Sequence, residues 1–141
     1  MKHFITLSTF AFAGLCAEAQ ACTVNSFSSK NGAIYLEAET ALLQEHDPQE
    51  ALALSDTLFS SELNCYERQA VRKLRAAIYV ELGEHTNAAM MLIPLVSDKS
   101  LSASERSTQA HNIGQIFLAA GDEKAGSKWL KMSKDIASEG N

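Results

Sequence analysis

The chain has 141 residues, 46% of them hydrophobic, and a net charge of −5 from 12 basic and 17 acidic side chains. That acidic balance, with no basic stripe, excludes the electrostatic footprint of a nucleic-acid binder and matches an anionic membrane surface equally poorly. With 3 cysteines and 2 prolines it is neither a disulfide-dense scaffold nor a proline-rich linker, and its length allows one small domain with a core.

Residues 1–21 have the layout of a cleaved secretory signal. Lys2 and His3 give a short basic start, and Phe4–Ala13 is apolar apart from Thr6, Ser8 and Thr9. Ala17-Glu18-Ala19 and Ala19-Gln20-Ala21 then offer small-x-small cleavage sites. The apolar run is too short to span a bilayer, and no later segment replaces it. Export to the periplasm, with no integral membrane segment after signal removal, is the expectation. Cleavage after Ala21 would leave Cys22 first. Gln20 and Leu15 depart from the lipoprotein pattern, so a soluble form is favoured over a lipid-anchored one. An oxidising compartment permits Cys22 and Cys65 to pair. The alternatives are a buried free Cys65 and a Cys22 that is free or lipidated. Neither lies in a Cys-x-x-Cys pair, so catalytic redox chemistry is not expected.

Residues 22–31, rich in Ser and Asn, read as a flexible lead-in. A first helix is expected over Gly32–Glu45, with Ile34, Ala38, Ala41 and Leu42 at helical spacings, and His46 and Asp47 break it. Asp47-Pro48-Gln49-Glu50 restarts a helix over Pro48–Phe59, with Asp47 as cap, Pro48 at the first position and Glu50 able to complete a capping box. Asn64 and Glu67 repeat the cap logic for a third helix to about Leu82, whose stripe is Val71, Leu74, Ile78 and Leu82. Gly83 ends it, because glycine adopts a left-handed C-terminus at least cost. A fourth helix over His85–Val96 carries Ala88, Leu92 and Leu95, with Pro94 bending its last turn. Ser102 and Glu105 start a fifth helix bearing Ala110, Ile113, Phe117 and Ala120, which Gly121 closes. Asp122 caps a sixth, which runs to about Ala137 with Ala125, Trp129, Met132 and Ile136 on one side. Residues 139–141 should fray. The whole reads as all-α, a solenoid of about three antiparallel hairpins over residues 32–138.

His46, Gly83 and Gly121 recur at about 37 to 38 residues, near the period of a two-helix repeat. The chain resembles the tetratricopeptide repeat family, whose unit is a helix–turn–helix of about 34 residues. Ala76, Tyr79, Gly83, Ala88, Leu92 and Leu95 carry the likeness in the second unit. Ile113, Gly114, Phe117, Gly121, Gly126, Leu130 and Ser133 carry it in the third, while the first matches only at Leu42, Ala51 and Leu58. Arg75 departs from it, being charged where leucine is common. At a finer level the chain is similar to small exported bacterial repeat proteins associated with energy transducers of the TonB type. The matching text is Leu92-Ile93-Pro94-Leu95, Asn112-Ile113-Gly114-Gln115-Ile116-Phe117 and Leu118-Ala119-Ala120-Gly121-Asp122.

The resemblance implies a concave face lined by the first helix of each pair, where partners lie as peptides or helices. Its groove positions fall on Leu36, Thr40, Leu43 and Gln44, then on Lys73, Ala77, Val80 and Glu81, then on His111, Gln115, Leu118 and Ala119. Several of these serve equally well as ordinary surface or packing residues, Lys73 and Leu118 among them. His46, His85 and His111 are too scattered to form a metal site, Ser102 and Ser104 serve a helix start, and no glycine-rich phosphate cradle is present. Neither cofactor nor catalysis is expected. The expected function is a periplasmic adaptor or scaffold for an envelope protein, in an energy-transduction or transport assembly. The alternative is a structural module that self-associates through its uncovered hairpin ends.

Overall fold

The computed structural model describes residues 21–140, and the expected export signal lies outside them apart from Ala21. All regular structure among the described residues is helical: α1 (Ser29–Leu43), α2 (Pro48–Phe59), α3 (Cys65–Glu81), α4 (His85–Val96), α5 (Ala103–Ala119) and α6 (Glu123–Ser138). Three hairpins, α1–α2, α3–α4 and α5–α6, pack on one another in chain order. The α5–α6 pairing is the most extensive, and α2 against α3 the slightest of the successive pairs.

Local chemistry sets the helix starts. Asn64 and Ser102 each accept the backbone N–H three residues on, while Glu67 and Glu105 bond back to the cap residue, so both boxes are closed. Asp122 accepts from Ala125 N at 2.9 Å. Asp47 accepts from Gln49 and Glu50, but its box stays open because its own N–H goes to Ala41 O at 2.9 Å. Glu84, at the equivalent place before α4, makes no side-chain cap bond.

The three hairpin turns share one backbone device. His46, Gly83 and Gly121 sit at φ of 54°, 74° and 82°, the left-handed region that returns the chain on itself. After Gly83, Glu84 N bonds Tyr79 O at 2.8 Å, and after Gly121, Asp122 N bonds Phe117 O at 2.9 Å. The first turn is one residue wider and places a histidine where the others use glycine.

Inside the third hairpin the helices cross at paired glycines. A methyl group added at Gly114 would sit 2.8 Å from the Leu130 side chain and 3.1 Å from Gly126 O. One added at Gly126 would meet Leu118 at 2.6 Å and Gly114 O at 3.1 Å. Small residues there let the backbones touch, and the two leucines lock over the crossing. Ala76 and Ala88, at the matching places of the second hairpin, are both buried.

The apolar core divides in two. Ala38, Ala41, Leu42, Ala51, Leu74 and Ile78 form one cluster, with Tyr35, Leu52, Leu54 and Leu82 packed on it. Ala76, Ala89, Leu92, Leu95, Val96, Leu101, Ala110, Ile113 and Ile136 form the other. At the α2–α3 joint stands Arg75, only 6% exposed. Its guanidinium donates to Ser55 Oγ and Tyr79 Oη at 3.0 Å each and pairs with Asp56, while its flat face lies 4.8 Å from the Phe59 ring centre. The Arg75 charge thus belongs to the packed interior.

The N-terminal end differs from the sequence expectation. α1 starts at Ser29 rather than Gly32, because Ser28 caps it by accepting from Asn31 N. The lead-in is held at several points. Phe27 packs 4.5 Å from Tyr35 and 5.5 Å from Tyr66, Asn64 Nδ2 donates to Ser26 O, and Cys22 is joined to Cys65 in a disulfide. Beneath it, Glu67 is 2% exposed and accepts from Ser28 N (2.8 Å), Asn64 N (2.9 Å) and Asn31 Nδ2 (3.0 Å). Burial alone would raise this carboxyl. The backbone bonds from Asn64 and Ser28 and the Asn31 amide outweigh it and hold Glu67 below the usual carboxylate range. At the other terminus Glu139 is engaged by Arg106 at 3.3 Å, and Asn141 lies outside the described residues.

Candidate partner-binding groove

α3 presents one continuous line of side chains to two successive clefts. Upstream, Tyr66, Gln69, Ala70 and Lys73 of α3 face Tyr35 of α1, Leu101 of the α4–α5 connection, Glu105 in the first turn of α5, and Cys22 and Asn25 of the lead-in, around a cleft of about 440 Å³. Downstream, Lys73, Ala76, Ala77 and Val80 face Gln109, Asn112 and Ile116 of α5 and Leu92 of α4, around a cleft of about 270 Å³. Lys73 lines both. It therefore stands midway along a groove that is polar and aromatic at one end and apolar at the other.

The polar end is a fixed frame. Gln69 is buried and donates to Ser100 Oγ at 2.8 Å and Asp98 Oδ2 at 3.0 Å, and the Ser100 hydroxyl donates to Asp98 Oδ1 at 2.6 Å. Burial would raise Asp98. The Ser100 and Gln69 bonds, with Arg68 nearby, bring it below its ordinary value instead. The disulfide sits against the same frame, with Cys65 Sγ 3.6 Å from Ser100 Oγ. Together these bonds tie the lead-in, α3 and the α4–α5 connection into one wall.

Charge in the groove is partly matched. Glu105 is held below the usual range by the Ser102 N–H and hydroxyl and, more weakly, by the Lys73 ammonium, against some burial. Burial, then Glu39, then Tyr66 push the Tyr35 phenol upward, so it stays a neutral hydrogen-bonding group at physiological pH. Lys73 is exposed.

The residues singled out from sequence separate into three places. Lys73, Ala77 and Val80 share the groove, and Glu81 is exposed at the last position of α3. Leu36 and Thr40 lie elsewhere, lining a cleft with Glu37, Ala41, Glu45, Glu50 and Leu54 that α1 and α2 form alone. Gln44 caps α1 and is exposed. On α5 the groove side is one position further round than expected: Gln109, Asn112 and Ile116 face α3, whereas His111 and Gln115 are exposed outside this lining and Leu118 packs over Gly126. Tyr35, Tyr66 and Ala70 were missed. Tyr66 and Ala70 are marked in sequence by their spacing from Lys73 at helical intervals; Tyr35 joins them only through tertiary packing.

A larger cleft of about 740 Å³ opens beside the start of α3, between Ser28, Asn31, Phe59, Glu62, Arg68 and Arg72. Part of its polar wall is already engaged, while Arg72 lies over the Phe59 ring. Asn31 donates to Glu62 O and Glu67, and Arg68 donates to Leu63 O at 2.6 Å. We therefore place the candidate site in the α3 groove.

Among the described residues, no three His, Cys, Asp or Glu side chains converge as metal ligands, and no helix is long and apolar enough to cross a membrane. Compared with family models, curated proteins and solved structures, the chain has no match.

Proposed function

We propose that the chain is an exported adaptor of the tetratricopeptide type that holds a peptide or helix of an envelope protein along α3. The observation that carries this reading is the pair of clefts that share Lys73, with Tyr35 and Tyr66 in one and Ala77, Val80 and Ile116 in the other. Such a lining suits a segment with apolar side chains and one acidic group, since an ammonium midway offers a single point of charge recognition. The Cys22–Cys65 bond supports an oxidising compartment as the place of work.

Site-specific photocrosslinking in intact cells tests it. A photoreactive residue at Val80 should capture one defined envelope protein, and Ala77→Arg should abolish the product while helicity is unchanged. Equal capture from Met90, an exposed residue of α4 outside the groove, would overturn the reading, as would no capture from Val80.

A further inference from the structure

We propose that the carboxamide of Gln109, in the cleft between α3 and α5, binds the main chain of an extended peptide. This rests on the adaptor reading above and specifies the conformation of the bound segment. Among the described residues the other buried polar side chains are each bonded within the chain. Asn31, Glu67, Gln69 and Arg75 bond side chains or backbone, and Ser55 and Ser133 donate to carbonyls. Gln109 is only 6% exposed, yet its amide makes no hydrogen bond to any described residue. Neither amide atom is sealed away, unlike the unpartnered Nε atoms of Arg75 and Arg106. Gln109 lines the downstream cleft of about 270 Å³, opposite Lys73, Ala76, Ala77 and Val80.

Gln69 makes the contrast. It lines the upstream cleft and is 8% exposed, but its amide nitrogen is committed to Asp98 and Ser100. One buried glutamine braces a wall, and the other keeps a donor and an acceptor free.

A carboxamide offers donor and acceptor side by side, and its complement is another amide. An extended chain presents peptide N–H and C=O groups along its edge, free to bond. A helix uses those groups in its own turns and offers Gln109 nothing along its length. Asn112, one turn on in α5, lines the same cleft, is exposed and likewise has no hydrogen bond to a described side chain or backbone group. It adds a second amide about 5–6 Å away. Groups facing one edge of an extended chain recur every second residue, at about 6.6 Å, so the two amides suit successive edge groups. Ala76, Ala77, Leu92 and Ile116 leave room beside them for one apolar side chain of the ligand, and Lys73 stands next to it for an acidic one.

Two measurements test this. In the free chain, Gln109→Met should raise the thermal midpoint by about 3 °C, since it keeps the side chain's length and removes an amide without a protein partner. Gln69→Met should lower it by a similar amount. For binding, the probe is a phage library of random octapeptides selected on the disulfide-intact chain, with peptides that still bind Ala77→Arg discarded. Gln109→Met should weaken a peptide so chosen about tenfold. N-methylation of one main-chain nitrogen of that peptide should cost the wild type a similar factor and cost Gln109→Met nothing further. Equal destabilisation by Gln109→Met and Gln69→Met would overturn the proposal, as would peptides indifferent to Gln109→Met or to N-methylation at every position. Those results leave the adaptor reading standing, whereas a selection that yields no peptide sensitive to Ala77→Arg removes both.

Discussion

The α2–α3 and α4–α5 joints occupy the same place in successive hairpins but are held by different forces. The second is hydrocarbon, with Leu92, Leu95 and Val96 against Leu101, Ala110 and Ile113. The first is organised around one cation, Arg75, which bonds Ser55, Asp56 and Tyr79 and stacks on Phe59. Dry contact gains free energy from area and tolerates small changes of angle. A guanidinium fixes direction, because its planar donors reach their partners in one orientation only. It gains less net energy, since burying the charge costs solvation, and Asp56, with its side chain 61% exposed, attracts it through a screened field. Arg75 Nε, moreover, is buried without a partner among the described residues.

This difference can be broken from either side. Leu92→Ala should have the largest effect, lowering stability by about 2–5 kcal/mol in urea denaturation, since it opens a cavity in the dry joint. Arg75→Ala should cost less, about 1–3 kcal/mol, and Arg75→Met should recover most of that by filling the space without a charge to solvate. If Met is as damaging as Ala, directional bonding rather than volume holds the joint.

Acid sharpens the contrast. The folded-state value of Glu67 lies below its ordinary 4.5, so its contribution is complete above that range and is lost as pH falls through the depressed value. Hydrogen exchange below about pH 4.5 should therefore show the α1 and α3 N-termini opening before the apolar α4–α5 joint, and Glu67→Gln should remove that order. The smallest effect is expected at His46. His46→Gly relieves a left-handed residue and should raise stability by up to about 1 kcal/mol, where Gly83→Ala should lower it by a similar amount.

Helix boundaries were legible wherever a local rule governs them. Asp47-Pro48, Asn64 with Glu67, Ser102 with Glu105, and the glycines 83 and 121 each act within a few residues of their own position. Arg75 was not legible, because its partners Ser55 and Asp56 come from the preceding helix and leave no local trace. The early start of α1 was missed for a related reason: Ser28 is a good cap on its own, but what fastens it is Glu67, a residue of α3. The groove was half legible. Lys73, Ala77 and Val80 share a helical stripe, while the face α5 turns toward them depends on how it rolls against α4 and α6, and a roll of one position exchanges His111 and Gln115 for Asn112 and Ile116.

The Cys22–Cys65 bond encloses α1 and α2 in a covalent ring, with a sequence separation of 43. Stacked helices fray from their ends, and the first hairpin is the N-terminal end of the three. Closing it removes chain entropy worth roughly 4 kcal/mol from the unfolded state. A nick in the connection after α2 would also leave both fragments attached. The first hairpin is thereby the one that cannot peel away, and a reducing environment would convert this end from the anchored terminus of the stack into its fraying one.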